Sequence, residues 1–249
     1  MSREQAERAI QAGAEFIVSP GFNPTVVTYC IEKGVPVTPG CNNPSAMEGA
    51  MELGLDVVKF FPAEASGGLK AIKAMAAPYV NLKFMPTGGV NAQNINEYLA
   101  FPKIIACGGS WMVSSDLVKN KEFDKIAQLT REAVMTVMGF ELKHVGINCE
   151  NEGEAEKTAD FFAKAFGFTK KSGTSSVFAG SFVEAMKTPY LGAKGHIAIG
   201  TNNIERAVNY LDAAGVAVDM ETAKYKDGKM AAVYLKEEVS GFAVHLVQK

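Results

Sequence analysis

The chain has 249 residues and a mass of 26.6 kDa, which is enough for one large domain or two of ordinary size. Apolar residues make up 47% and charged residues 21% of the sequence, so an intrinsically disordered or collagen-like protein is excluded. The formal net charge of -2 favours neither nucleic acid nor an anionic membrane as a partner, and no apolar run approaches the roughly 20 residues of a membrane span.

The N-terminal sequence and the cysteines both favour a cytoplasmic protein. The segment MSREQAERAI is too polar for a secretory signal, and no C-x-x-C pair indicates a thiolate metal site. We therefore expect reduced thiols in a cytoplasmic protein that acts on small molecules. The cysteines are Cys30, Cys41, Cys107 and Cys149.

Short apolar, β-branched runs recur along the first part of the chain at intervals of about 20 to 25 residues, the length of one βα unit. Each run ends in a turn that contains glycine or proline, and stretches with helical spacing of apolar residues lie between the runs. This pattern predicts an α/β fold in which a parallel sheet is covered by helices, with the chemistry at the carboxyl ends of the strands. The runs are residues 16–18, 35–37, 57–61, 82–85 and 104–107.

The number of βα units differs from that of a closed barrel. Five units are visible, whereas a closed TIM-type barrel has eight, and the helical stretch over residues 1–13 follows no strand. The simplest interpretation is a partial TIM-type βα barrel that lacks its first three strands. A five-stranded open sheet is the alternative that periodicity leaves open.

Lys59 is the candidate nucleophile of this part. It lies inside the apolar run 57–61, where desolvation of the ammonium group should lower its pKa. A neutral amine can attack a ketone and form a Schiff base, which then acts as an electron sink. The alternatives are a lysine that extends past the strand to water, or Lys83, which occupies a similar place before the next turn.

Two glycine-containing loops are candidate anion sites. Residues 87–89 and 108–110 follow successive strands, and glycine allows backbone N–H groups to approach phosphate oxygens closely. Phosphate sites after the last two strands recur in TIM barrels. Simple turn geometry is the alternative explanation for these glycines.

Five motifs resemble those of the class I 2-keto-3-deoxy-6-phosphogluconate (KDPG) and 4-hydroxy-2-oxoglutarate (KHG) aldolases. They are VVKFFPAE (57–64), MPTGGV (85–90), CGGSW (107–111), IVSPG (17–21) and VTPG (37–40), and the resemblance extends over residues 3–138. It implies reversible cleavage of a 2-keto-4-hydroxy acid to pyruvate and an aldehyde, without a metal, by a homotrimer. It also implies that Lys59 forms the Schiff base, that Phe61 lines the pocket, that Thr87 lies near the keto acid, and that the phosphate binds at Gly88, Gly89, Gly109 and Ser110.

The sequence departs from that family in one respect. The glutamate base, the carboxylate-binding arginine and a further threonine of the family, which lie on its second and third strands, have no matching residues here. Because a placed acid–base group contributes roughly 10²–10⁴-fold to a rate, we expect slow turnover even if Lys59 reacts. The expected explanation is a truncated gene or fragment, and the alternative is a short form that borrows strands from a partner chain.

The pattern changes after a predicted long helix over residues 116–138, and we place a domain boundary between residues 139 and 140. The segment HVGIN at 144–148 is repeated as HIAIG at 196–200. Each copy precedes an amphipathic stretch, at 154–166 and 204–214, and each repeat ends in a strand that begins with glycine, at 180–184 and 241–245. Residues 140–249 are therefore predicted to form an α+β domain of two β-α-β-β-β modules.

Four ligand-type side chains occupy matched positions in this repeat: His144, Glu184, His196 and His245. Small residues two positions along the same strand face leave room for a pocket, and imidazole with carboxylate suits Zn²⁺, Ni²⁺ or Fe²⁺. Ordinary strand histidines with satisfied hydrogen bonds are the alternative. The segments HVGI, GHIAIG, VEAM and AVHLVQ resemble the metal-bearing strands of the vicinal-oxygen-chelate superfamily, which includes glyoxalase I, although His245 stands where that superfamily usually has glutamate.

Three functional hypotheses follow. The first is a Schiff-base aldolase fused to a metal-binding accessory domain. The second is a non-catalytic small-molecule-binding protein that carries a vestigial aldolase half. The third places the active enzyme in residues 140–249, as a metal-dependent lyase or isomerase.

Overall fold

Parallel strands alternate with helices in the first part of the chain, in a computed structural model that describes residues 1–249. The chain divides into two units, Met1–Ala133 and Val134–Lys249. The elements up to the end of the last helix of this part are α1 (Arg3–Gln11), β1 (Ile17–Val18), α2 (Pro24–Glu32), β2 (Val37–Thr38), α3 (Pro44–Glu52), β3 (Val57–Phe60), a 3-10 turn (Glu64–Ser66), α4 (Gly68–Ala76), β4 (Lys83–Pro86), α5 (Ile95–Leu99), α6 (Ser115–Lys119) and α7 (Phe123–Met138).

Five extended segments of the first unit follow one another in parallel. β1 pairs with β2 and β3 pairs with β4, and a bridge between Gly40 and Lys59 joins the two pairs. The fifth predicted run forms isolated bridges through Ile104 and Gly108 instead of a continuous strand. The α/β prediction is confirmed, because this order is that of successive strands in a TIM-type barrel.

Local sequence explains where α2 and α3 begin. Asn23 and Asn43 each accept a hydrogen bond through the side chain from a backbone N–H of the first turn. Pro24 and Pro44 then occupy the first helical position, where the missing N–H costs nothing and the fixed φ suits the helix. The two Asn-Pro pairs thus fix the residues at which α2 and α3 begin.

The two faces of β3 differ in burial. Val58 and Phe60 are fully buried, whereas the alternating residues Val57 and Lys59 are only half-buried. Apolar side chains on flanking segments are also accessible, with Phe16 60% and Ile105 47% exposed. One face of the parallel sheet is therefore covered, and the face that carries Lys59 is partly open.

The prediction of one long helix over residues 116–138 is wrong. The structure has two helices, α6 and α7, because Lys121 adopts a left-handed backbone conformation with φ of 58°. Ser114 caps α6 by accepting a hydrogen bond from the backbone N–H of Leu117. No glycine or proline marks the break, so the apolar periodicity continued across it in the sequence.

The second unit contains two copies of one β-α-β-β-β module in a single eight-stranded sheet. The first strands of the modules lie antiparallel at the centre, and each pairs in parallel with the last strand of its own module. The elements are β5 (Glu141–Asn148), α8 (Glu152–Phe166), β6 (Lys170–Ser172), β7 (Ser176–Ala179), β8 (Val183–Met186), β9 (Gly195–Thr201), α9 (Ile204–Ala213), β10 (Val218–Lys226), β11 (Lys229–Leu235) and β12 (Phe242–Gln248). None of the helices in either unit combines the length and the apolar character that crossing a membrane requires.

Candidate active site and candidate metal centre

Lys59 lies on the partly open face of the parallel sheet, one residue before the end of β3. Its Nζ atom is 4.5 Å from the centroid of the Phe61 ring, and none of the ion pairs in the structure involves it. Burial lowers the pKa of the Lys59 ammonium below its ordinary value of 10.5, because desolvation disfavours the charged form. The amine is therefore partly desolvated, and no charged side chain forms an ion pair with it.

Lys83 occupies a different environment. It begins β4, pairs with Val57 and is exposed to solvent, whereas Lys59 pairs with Met85 nearer the carboxyl ends of the strands. The two lysines that the sequence left as alternatives are thus distinguished by burial and by position along the sheet.

Hydrogen bonds hold the first glycine loop against the end of β3. The carbonyl groups of Thr87 and Gly88 accept from the backbone N–H groups of Ala63 and Glu64 at 2.8 and 3.0 Å. Gly88 and Gly89 have φ of 92° and 85°, in the left-handed region that favours glycine. A Cβ atom on Gly89 would also stand 2.4 Å from Cγ of Glu64, so no other residue fits there without a local shift.

Thr87 connects the two loops. A parallel bridge joins it to Gly108, where a Cβ atom would lie 2.7 Å from the Thr87 methyl group. Gly109 and Ser110 follow directly and are exposed. The Oγ1 atom of Thr87 is buried without a hydrogen-bond partner, so it is available to a ligand oxygen. Every predicted residue of this site therefore lies on β3 or on the loops that follow the third, fourth and fifth extended segments.

The register of the second sheet brings the four predicted metal ligands onto one face. Ala198 pairs with both His144 and His245, and in the adjacent row Gly146 pairs with both Glu184 and His196. The Oε2 atom of Glu184 is 3.1 Å from Nε2 of His144 and 3.1 Å from Nε2 of His196. One ligand atom from each of the three histidines lies within 4.8 Å of the others.

Gly146 makes room for one of these rings. A Cβ atom at this position would stand 2.1 Å from Cε1 of His196 and 2.4 Å from its Nε2. The His196 imidazole therefore lies directly over the backbone of β5, in a space that any side chain would fill. The small neighbour that the sequence pattern indicated has a specific steric role.

Electrostatics lower the pKa values of two members of the cluster, Glu184 and His245. Desolvation raises the pKa of Glu184, but hydrogen bonds from His144, His196 and Ser176 outweigh it and keep this carboxylate ionised. Burial, followed by the neighbouring His196 and His144, lowers the pKa of His245 to about 3. Both ring nitrogens of His245 and Nδ1 of His196 are buried without hydrogen-bond partners. Three imidazoles and one carboxylate form a donor set that fits Zn²⁺, Ni²⁺ or Fe²⁺.

Comparison with known families identifies the first half of the chain. The sequence model described as "Aldolase: KDPG and KHG aldolase" matches residues 1–129. The chain belongs to this aldolase family. The 2-dehydro-3-deoxy-phosphogluconate aldolase of Haemophilus influenzae is 51% identical over 134 residues, which cover 54% of this chain and 63% of that protein. The KHG/KDPG aldolase of Escherichia coli K12 is 39% identical over 134 residues, with 54% and 63% of the two chains covered.

A solved aldolase structure agrees with this assignment. The KDPG aldolase of Legionella pneumophila, with pyruvate captured as a covalent carbinolamine intermediate, superposes with a TM-score of 0.51 at 33% identity. The match covers 53% of this chain and 65% of that one. The aldolase-family chain described here thus spans less than two thirds of the length of the relatives that it matches.

Sequence reasoning missed one contact that supports the aldolase-family loops. The hydroxyl group of Tyr98 in α5 donates to the carboxylate of Glu64, which follows the lysine motif. Tyr98 is nearly fully buried, and burial raises the pKa of its hydroxyl group, so it remains a donor. The contact ties the loop after β3 to the helix after the first glycine loop. Glu64 lay in the quoted motif, but nothing in the sequence indicated Tyr98.

Replacement of Gly146 by alanine should displace the His196 ring and break its contact with Glu184, because the added Cβ overlaps the imidazole. We expect a loss of about 1–3 kcal/mol in the free energy of unfolding and altered His196 signals in long-range ¹H–¹⁵N NMR spectra. The matched control is Gly153→Ala, where the nearest atom to a new Cβ is Asn151 Oδ1 at 3.3 Å. Unchanged His196 signals in Gly146→Ala would contradict the steric role of this glycine.

Proposed function

We propose that residues 1–139 act as a Schiff-base aldolase on 2-keto-4-hydroxy acids such as KDPG or KHG, with pyruvate and an aldehyde as products. The observation that carries the proposal is a half-buried, unpaired amine at Lys59, whose pKa is lowered, beside two glycine loops. Membership of the KDPG and KHG aldolase family supports the same chemistry. Pyruvate, the keto acid and assembly as a homotrimer belong to this proposal.

The amine supplies the electron sink in the proposed reaction. Nζ of Lys59 adds to the keto carbon, and loss of water from the carbinolamine gives a protonated imine. The bond between the third and fourth carbon atoms then breaks, and its electron pair moves toward the imine nitrogen to form an enamine. The adjacent hydroxyl group loses its proton and becomes the aldehyde. Protonation of the enamine and hydrolysis release pyruvate and the free lysine, so the reaction requires no metal.

The two loops are proposed to bind the far end of the substrate. Backbone N–H groups at Gly88, Gly89 and Gly109, with the Ser110 hydroxyl group, suit a phosphate group. The unpartnered Oγ1 atom of Thr87 suits an oxygen of the keto acid, and the Phe61 ring beside Nζ forms one wall of the pocket.

Proton transfer is the step of the proposed reaction for which no group beside Lys59 has been assigned. No acidic side chain forms an ion pair with Lys59, and a placed acid–base group is worth roughly 10²–10⁴-fold in rate. We therefore propose that the imine forms readily at Lys59 and that catalytic turnover is slow unless a further group carries the proton.

Trapping with pyruvate and borohydride tests the aldolase proposal. We expect covalent modification of the wild-type chain at Lys59, since reduction fixes the imine as a secondary amine that peptide mass spectrometry locates. Lys59→Met should abolish the adduct, and Lys83→Met, which removes the exposed lysine of the next strand, should leave it unchanged. An adduct that persists in Lys59→Met and disappears in Lys83→Met would contradict the assignment.

We also propose that residues 140–249 form a vicinal-oxygen-chelate, glyoxalase-like domain that holds a divalent metal. The supporting observation is the cluster of His144, Glu184, His196 and His245, with buried ring nitrogens that lack partners. A bound ion would act as a Lewis acid toward substrate oxygens. The protein's own contribution is to present three imidazoles and one ionised carboxylate on one sheet face. Small-molecule binding without catalysis is the alternative function of this domain.

Metal content tests this second proposal. We expect about one Zn²⁺ or Ni²⁺ per chain after loading and dialysis, and an affinity at least tenfold lower in Glu184→Gln, which removes the anionic ligand charge, and in His196→Ala, which removes an imidazole ligand. Glu221→Gln, which alters an exposed carboxylate on β10, is the control and should bind like the wild type. Equal metal content in all four proteins would remove the proposed centre.

A further inference from the structure

A row of aromatic rings leads away from the histidine cluster on the same side of the second sheet. The Tyr234 ring stacks on His245 with a centroid distance of 4.6 Å and an interplanar angle of 16°. Tyr190 meets Tyr234 edge-on at 5.8 Å, and Nζ of Lys224 lies 5.8 Å from the centroid of Tyr190. The rings therefore form a continuous wall from His245 to a lysine.

A bulge in β10 accounts for the position of Lys224. The register of β10 against β11 shifts between Asp219 and Lys224, and a bulge redirects the side chains of its strand. The Thr222 hydroxyl group stabilises the bulge by accepting from the Tyr234 N–H at 2.9 Å and donating to the Asp219 carbonyl at 2.7 Å. Lys224 then pairs with Ala232, two residues before Tyr234, and so shares a sheet face with Tyr234.

Tyr190 is held in place although it lies outside the strands. The Asn148 side chain donates to the carbonyl groups of Gly192 and Tyr190 at 2.7 and 3.2 Å, and accepts from the Tyr190 N–H at 3.2 Å. These bonds fasten the connection between β8 and β9 to the end of β5. Tyr190 is 49% exposed, so one side of its ring is accessible to a ligand.

The Lys224 ammonium group at the far end of this row has no ion-pair partner. Lys170 and Lys187 of the same unit form ion pairs with acidic side chains, whereas Lys224 forms none. The Glu184 carboxylate already accepts hydrogen bonds from His144, His196 and Ser176. Lys224 therefore offers an uncompensated positive charge beside the aromatic wall.

We propose that Tyr234, Tyr190 and Lys224 form a specificity-determining wall for a planar organic anion that has a chelating end and a separate carboxylate. The chelating end would meet a metal held by the histidine cluster, the flat portion would pack against the accessible Tyr190 ring, which Tyr234 supports from beneath, and the far carboxylate would pair with Lys224. This inference rests on the proposed metal centre of residues 140–249 and adds the chemical class of its ligand.

A pair of matched ligands tests the wall. Pyridine-2,4-dicarboxylate and picolinate share one chelating end, and only the first has a second carboxylate. Their dissociation constants are measured by isothermal titration calorimetry on the full chain loaded with Ni²⁺, with metal content checked after each titration. We expect the second carboxylate to tighten binding by about three- to tenfold in the wild type and to give no advantage in Lys224→Met. Lys229→Met, which removes an exposed lysine of β11, should retain the wild-type preference.

The outcomes separate this inference from the metal proposal. If the wild-type chain does not bind Ni²⁺, both the metal centre and the aromatic wall are overturned. Normal Ni²⁺ binding with the same ligand preference in Lys224→Met as in the wild type would overturn the wall alone. A Tyr190→Leu variant should weaken both ligands without altering Ni²⁺ affinity, because it removes the packing surface and none of the metal ligands.

Discussion

Desolvation of a single amine is the constraint on which the proposed chemistry of the first unit depends. Lys59 lies on a short strand whose other face, Val58 and Phe60, is fully buried, so the backbone has little freedom to carry the amine into water. The neighbouring Phe61 ring covers Nζ without neutralising it. An ion pair would raise the pKa of the amine, and none is formed. The burial of Lys59 thus shifts its equilibrium toward the neutral amine that the proposed reaction needs.

The second unit depends on space for several polar side chains rather than on the desolvation of one amine. Here polar side chains are gathered on a buried sheet face, and small residues make the space. Gly146 and Ala198 lie between the four ligand-type residues in two adjacent rows, so rings and a carboxylate converge across the central strands. The repeat explains this arrangement, because the same strand pattern occurs in both modules and each module supplies two of the four ligand-type residues.

Periodicity and motif were sufficient for much of this architecture. Four of the five apolar runs predicted strands, while the fifth forms only isolated bridges, and the repeat of HVGIN as HIAIG predicted that its histidines belong together. The break at Lys121 was not predictable, because a left-handed residue there has no glycine to mark it. The contacts of Tyr98 with Glu64 and of Lys224 with Tyr190 join residues at least 34 positions apart. The first contact depends on how a helix packs against a loop and the second on a bulge in β10, and residue spacing encodes neither.

The most direct measurement for the aldolase half is the titration of the Lys59 side chain itself. Spectra of the chain with ¹⁵N-labelled lysine, assigned by comparison with Lys59→Met, would follow its Nζ chemical shift with pH. We predict a midpoint below the ordinary value of 10.5, and below that of Lys170 in the same sample, whose pKa is raised by its hydrogen bonds to Asp160 and Glu156. A Lys59 midpoint at or above 10.5 would contradict the claim that the sheet keeps this amine desolvated.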